Sequence, residues 1–243
     1  VFVASQTYID SYKKYIKTSY LSKLSTIVEY NEDSLNNLSH LFDNLYADAD
    51  FISVISGYDN ETEKAKYVCD IFDNIKRSNS MIDSIVAINR SSQKVYTTDG
   101  IGDMKSFFSD SYVYDDYNYE YWYSYQSAFS SKNIFPPARV NNKGVVDNVI
   151  PIVFTKIADE PFGNIIIVNI KLSSLKKGFD NEKISNNGTL MMFSLSRQNL
   201  YSTDINVVEE ASTDFSAQVL SNKKTAFDYE INGFSTEYYR AMR

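Results

Sequence analysis

The first 56 residues of this chain contain no glycine and no proline; Gly57 is the first of either. Those are the two residue types that most strongly break a helix. Within the stretch, apolar residues recur at Leu21, Leu24, Ile27 and Val28, then at Leu35, Leu38, Leu41, Phe42 and Leu45. This is helical spacing with one buried stripe. It predicts one long helix from about Ala4 to about Tyr46, kinked near "YNEDS". At about 1.5 Å per residue that helix spans roughly 60 Å, more than the width of a small domain. A second helix is expected from Glu61 to Arg77.

The character then changes. "MIDSIVAIN" and "KVYTTDG" flank the polar turn "RSSQ" and predict a hairpin. "SDSYVYDDYNYEYWYSYQSAF" is a Tyr-dense segment. "NIFPPARV", "VVDNVIPIVFTKI" and "GNIIIVNIKL" read as three strands, with "DEPFG" turning between the last two. "SSLKKGF" reads as a short helix closing at Gly178. From Asn187 the pattern restarts: "TLMMFSL", the turn "SRQ", "LYSTD", a helix at "DFSAQVLS", then a hairpin of "TAFDYEI" and "FSTEYYRAM" around "NG".

The phrase "SSQKVYTTD" at Ser91–Asp99 thus returns as "SRQNLYSTD" at Ser196–Asp204, with five of nine positions identical and an offset of 105 residues. A period of that size is a whole small domain rather than a solenoid repeat. The fold class expected is α+β: a stalk helix over 1–46, a first antiparallel-sheet module over 47–178, and a second over 179–243 that is truncated.

Composition removes several functions. The net charge is −7. A nucleic-acid binder needs a basic stripe to displace counterions from phosphates, and the sequence has none. Attachment to an anionic membrane surface is disfavoured for the same reason. No run reaches 18 apolar residues, so the sequence shows no transmembrane helix. Cys69 is the single cysteine, which forbids an intrachain disulfide and leaves the compartment open; it reads as a small buried hydrophobe. His40, the single histidine, lies on the stalk without a Cys, Asp or Glu at ligand spacing and reads as a plain helix residue. A Ser or Cys nucleophile therefore has no base. There is no Gly-rich phosphate loop and no zinc spacing, and no carboxylate pair stands out for glycoside hydrolysis. Asp115, Asp116 and Glu120 lack the spacing of a calcium loop and read as a solvated acidic face. We expect no enzyme, no metal site and no cofactor.

Two groups remain as site candidates. Tyr117, Tyr119, Tyr121, Tyr123 and Tyr125 alternate with Asn118, Glu120, Trp122 and Ser124. Stacked rings with hydroxyl tips suit a sugar or another planar polar ligand, and packing at a core rim is the alternative. Arg139 follows two prolines in "FPPARV". It is suited to an ion pair with Asp147 or to a ligand carboxylate.

The order of these pieces resembles the double Cache extracellular sensor domain, two PAS-like modules on a shared stalk helix. It rests on the long helix, the hairpin ending "VYTTDG", the aromatic helix carrying "WY", "NIFPPARV", "VIPIVFTK", "FGNIIIVNIKLSSL" and the second "LYSTD". The wording of "NIFPPARV" and "IIIVNIKLSSL" is most similar to sensors of Firmicutes. There such domains sit outside the cell on membrane-anchored AraC-type transcription regulators or histidine kinases. In the sub-family that binds amino acids, an Arg just precedes the "WY" pair and an acid lies on the last strand of the distal sheet. Trp122 and Tyr123 match the pair. No Arg occurs in the ten residues before Trp122, and Asn169 stands at the acid's position.

The resemblance therefore implies a small-molecule ligand that is a sugar or organic acid rather than a standard amino acid. Trp122, Tyr123, Tyr117, Tyr119, Arg139, Asp147 and Asn169 of the distal module would hold it. It further implies membrane helices before Val1 and after Arg243, and a homodimer through the stalk. The output expected first is an AraC-type regulator, then a histidine kinase, then a chemoreceptor. The competing class is a structural or adhesive surface module without a ligand. A pocket lined by Tyr and Trp would favour sensing; a filled core under Trp122 would favour adhesion.

Overall fold

The computed structural model describes residues 2–57, 62–126, 132–155, 164–175, 191–193, 199–202, 226–231 and 234–239. Helix α1 runs unbroken from Phe2 to Ala47. The helix is continuous through "YNEDS", where a kink was expected. Ser34 donates its hydroxyl to the Tyr30 carbonyl one turn back, as Thr18 and Thr26 do to Lys14 and Ser22. A short helix not read from the sequence follows, α2 (Ala49–Ile55). Asp48 caps it by accepting from the amides of Asp50 and Phe51, the usual role of an acid at a helix start. Those bonds hold the Asp48 carboxyl below its ordinary range. Helix α3 covers Thr62–Ser78, close to the expected span.

Packing divides the chain into two units, Asn36–Lys176 and Val1–Leu35 with Lys177–Arg243. The first holds β1 (Ile82–Asn89), β2 (Lys94–Thr97), β3 (Gly100–Asp103), β4 (Tyr112–Tyr114), β5 (Lys132–Ile134), β6 (Ala138–Asn142), β7 (Val145–Thr155) and β8 (Ile165–Lys171). They form one antiparallel sheet in the order β3-β2-β1-β8-β7-β6-β4, with β5 also on β7. Between β3 and β4 lie one helical turn, α4 (Met104–Ser106), and a π-helical stretch, Phe107–Ser111. Helix α5 (Tyr119–Ser124) follows β4.

"NIFPPARV" makes two strands where one was expected. Lys132–Ile134 pairs with Ile152–Phe154, and Ala138–Asn142 pairs with Val145–Val149. Pro136 and Pro137 lie between them and can donate nothing to a ladder. The β6–β7 hairpin closes through Lys143 and Gly144, both at positive φ (50° and 92°). A two-residue turn demands that backbone to match the strand twist.

The sheet curls strongly. Strands β1 and β4 are four strand spacings apart, about 19 Å in a flat sheet. Yet the Tyr112 hydroxyl on β4 donates to Asp83 on β1 at 2.8 Å. Lys143 of the β6–β7 turn likewise meets Asp99 of the β2–β3 turn at 2.8 Å. The helices cover the convex face: Phe42 stacks on Phe154 at 4.6 Å, Tyr46 donates to the Phe154 carbonyl, and Lys132 donates to Ser39. The concave face carries its own core, including Val86, Ile88, Phe108, Tyr114, Trp122, Val140, Val149 and Ile167.

In the second unit β9 (Met191–Phe193) pairs with β10 (Asn199–Ser202), and β11 (Ala226–Ile231) with β12 (Phe234–Tyr239), both antiparallel. The repeated phrase thus supplies the second strand of a hairpin in each unit. The "DEPFG" turn, the helix end at Gly178 and the "DFSAQVLS" helix lie outside the described residues.

Candidate functional site

Helix α5 places the Tyr-dense run on the concave face. Asn118 caps it by accepting from the Tyr121 amide. At its other end Arg90, buried at the end of β1, donates to the Tyr125 carbonyl. Burial pushes the Arg90 guanidinium below its ordinary range. The helix turns what alternates in sequence into distinct faces. Trp122 points into the core and is fully buried. Its indole is ringed by Phe108, Tyr114, Tyr117, Tyr121, Tyr125 and Phe135 at 5.2–6.2 Å. Among the described residues its Nε1–H has no hydrogen-bond partner. Tyr117 is half-buried beside it, and burial pushes its phenol up to about 12. Tyr119 packs at the rim of this core and donates to Gln93 at 3.2 Å. Tyr123 stacks on Tyr119 and is 39% exposed.

Beneath the rings runs a chain of polar groups. Tyr114 O–H donates to Asn169 Oδ1 at 2.7 Å, and Asn169 Nδ2 donates to Ser84 Oγ at 2.8 Å. Beside this chain Tyr112 donates to Asp83 Oδ2 at 2.8 Å. The carboxylate only accepts, and the Asn169 amide accepts from Tyr114 through its oxygen and donates to Ser84 through its nitrogen. Asn169 is fully buried, and both ends of its amide are satisfied. Burial pushes the Tyr114 phenol far above its ordinary value, and Tyr112 too, with Tyr114 and Asp83 adding to the rise there.

The sequence candidates separate accordingly. Trp122, Tyr117 and Asn169 belong to one cluster, with Tyr119 at its edge and Tyr123 outermost. Arg139 and Asp147 do not pair. Arg139 lies opposite Asn148 and Asp147 opposite Val140, so strand alternation sends them to opposite faces. Asp147 shares the concave face with Val140. Arg139 is exposed and lies 3.9 Å from Asp115, a contact that contributes little in water. His40 lines an open groove of about 520 Å³ between α1 and α3, with Leu41, Leu45, Ile71 and Ile75 among its walls. The Trp122 cluster lies elsewhere and is filled by its own rings.

Sequence reasoning missed Asp83, Ser84, Arg90, Tyr112 and Tyr114. The signal was present for Asp83, a lone charge inside "MIDSIVAIN". Its direction was not, because it depends on a bulge: Ile82 faces Ile170 while Ser84 faces Asn169, leaving Asp83 as the extra residue. A bulge re-aims a side chain, and here Asp83 joins Ser84 on the concave side.

No family model matches this chain, and no curated protein does. Solved structures do superpose on it. A domain of a sensory box/GGDEF family protein from Vibrio parahaemolyticus aligns over 89% of this chain and 87% of its own, with TM-score 0.54 and 10% identity. The extracellular domain of the histidine kinase vpHK1S-Z8 aligns over 89% and 82%, with TM-score 0.52 and 11% identity. The isoleucine-bound sensory domain of the Campylobacter jejuni chemoreceptor Tlp3 aligns over 92% and 88%, with TM-score 0.46 and 12% identity. The long N-terminal helix followed by a curled antiparallel sheet is the α+β fold of the first two of these sensor domains.

Proposed function

We propose that this chain is the extracellular ligand-sensing domain of a membrane-anchored signalling protein, with its ligand held on the concave face of the unit Asn36–Lys176. The observation that carries this is the fully buried, unpartnered indole N–H of Trp122. A buried donor without an acceptor costs about 1–3 kcal/mol, and a small molecule bearing an acceptor would remove that cost. The fold of the neighbouring sensors supports the reading. The output we favour is a histidine kinase, in keeping with the extracellular domain of vpHK1S-Z8. The AraC-type output expected from the sequence has no counterpart among the neighbours named above, and a chemoreceptor output is third.

In this reading the ligand is drawn under α5 and shifts the sheet against α1, which carries the displacement toward the membrane as a two-state bias. Lys132–Ser39 and Tyr46–Phe154 tie strand and helix together for that purpose. The molecule would work as a homodimer through α1, and its chemistry would be recognition rather than catalysis.

One observation favours the ligand-free structural reading: the rings around Trp122 fill the space themselves. A thermal-shift screen over sugars, organic acids and amines separates the two. A ligand at 100 times its Kd adds about 2.7 kcal/mol of stability. Absence of any stabilising compound across such a screen would leave the structural module as the better account.

A further inference from the structure

We infer that the open seam of the curled sheet is the entry to the concave face, and that the Lys143–Asp99 ion pair is the latch across it. The inference rests on the ligand-sensing reading above and adds the route by which a small molecule reaches the Trp122 cluster.

The sheet curls without closing. Its order leaves β3 at one edge and β4 at the other, and among the described residues no strand pairing joins the two. Register sets Val95 beside Ile88 and Thr97 beside Val86. Those two partners belong to the concave core, so Val95 and Thr97 face the concave side. The β3 positions opposite them are Gly102 and Gly100. The edge strand therefore sends no side chain to the concave side at either position. A cavity of about 140 Å³ remains there, between Val95, Thr97 and the two glycines on one side and Phe107, Ser111 and Lys143 on the other. That is far more room than one water needs.

Two features make this seam an entry. The first is its far wall. Phe107 lines the cavity and packs against the concave core. It lies 5.1 Å from Phe108, which stacks on Trp122 at 6.2 Å. Cavity and indole are thus two rings apart. Phe107 and Ser111 bound the π-helical stretch, a backbone form found frequently at functional sites. The second feature is what spans the mouth. Lys143 Nζ donates to Asp99 Oδ2 at 2.8 Å, joining the β6–β7 turn to the β2–β3 turn. The Lys143 amide donates to the Ser111 carbonyl, which pins the same turn to the π-helical stretch. Both charged side chains are mostly exposed, 59% for Lys143 and 66% for Asp99. An ion pair in that setting holds its partners weakly, so the mouth opens and recloses at little cost.

The test uses the whole 243-residue chain and reads acrylamide quenching of its single tryptophan, Trp122, excited where tyrosine does not absorb and with no ligand added. Lys143→Gln and Asp99→Asn are each expected to raise the quenching constant by about 1.5- to 5-fold, the scale of one exposed ion pair. The charge-swapped chain, Asp99→Lys with Lys143→Asp, should return it to the parent value. Gly102→Leu should lower it by filling the cavity; a Cβ there meets Val95 Cγ2 at 3.5 Å, an ordinary contact. Arg77→Gln, which breaks an exposed ion pair on α3, should leave it unchanged. Should the Lys143 and Asp99 variants fail to fold, the parent alone decides, because salt that screens the pair must raise its quenching. Quenching that neither single variant nor salt raises, that Arg77→Gln raises equally, or that the charge swap fails to restore overturns the latch. Quenching unchanged in Gly102→Leu overturns the route. The readout needs no ligand, so it stands apart from the sensing reading. A gated seam with no stabilising compound in the thermal-shift screen keeps the latch and removes the sensor. A stabilising compound with ungated quenching removes the latch and keeps the sensor.

Discussion

Replacing Trp122 with alanine removes a fully buried indole, and such a truncation costs about 3–5 kcal/mol. Trp122→Ala is therefore a folding variant and tells little about binding. Trp122→Phe keeps a ring among its six neighbours and deletes only the N–H. It is expected to hold a cooperative melt close to the parent while losing ligand-induced stabilisation. Tyr114→Phe should act the other way. It strips the donor from the buried Asn169 Oδ1 and should lower urea stability by about 1–3 kcal/mol; an unchanged midpoint would show that the bond is dispensable. The phenols also set a pH limit. Burial raises Tyr112 and Tyr114 above the ordinary value of 10.0. Unfolded tyrosines ionise above that pH while the folded ones stay neutral, so the unfolded state binds fewer protons. Stability is then fully present below about pH 10 and falls as pH rises, by about 1.4 kcal/mol per pH unit for each such group. Alkaline melts followed by tyrosinate absorbance would show unfolding coincident with phenol ionisation; ionisation of these phenols before unfolding would contradict it. None of this was legible from residue identity. Tyr112 and Asp83 are 29 positions apart, and only the curl of the sheet brings them together.

At the scale of elements, much of the molecule was readable. The Gly- and Pro-free start forced α1, and the hairpins at "RSSQ" and "NG" followed from turn chemistry. What failed was register. Asp147 was one of two partners open to Arg139, yet a one-position offset in pairing sends the two to opposite faces. The "NIFPPARV" reading failed because a strand-like composition was allowed to outweigh two prolines. The β6–β7 turn gives a clean test of the backbone argument. Gly144 sits at φ 92° with nothing within 4 Å of where a Cβ would stand. Gly144→Ala therefore adds no clash, only the strain of that conformation, and should cost about 1 kcal/mol. A chemical-denaturation midpoint equal to the parent's would show that the turn relaxes instead.

Within the unit Asn36–Lys176 a single curled sheet joins a convex helix layer to a concave aromatic face. The function proposed above requires a small molecule held at Trp122. The chain has one tryptophan, so fluorescence excited at the red edge of the protein band, where tyrosine does not absorb, reports on that position alone. Any compound that raises the melting temperature should be titrated while Trp122 emission is recorded. The emission intensity or wavelength is expected to change with the same saturation curve as the stabilisation, because the indole N–H gains an acceptor and its ring neighbours move. A compound that binds and stabilises the protein while the Trp122 emission stays constant would contradict the claim and place the ligand elsewhere.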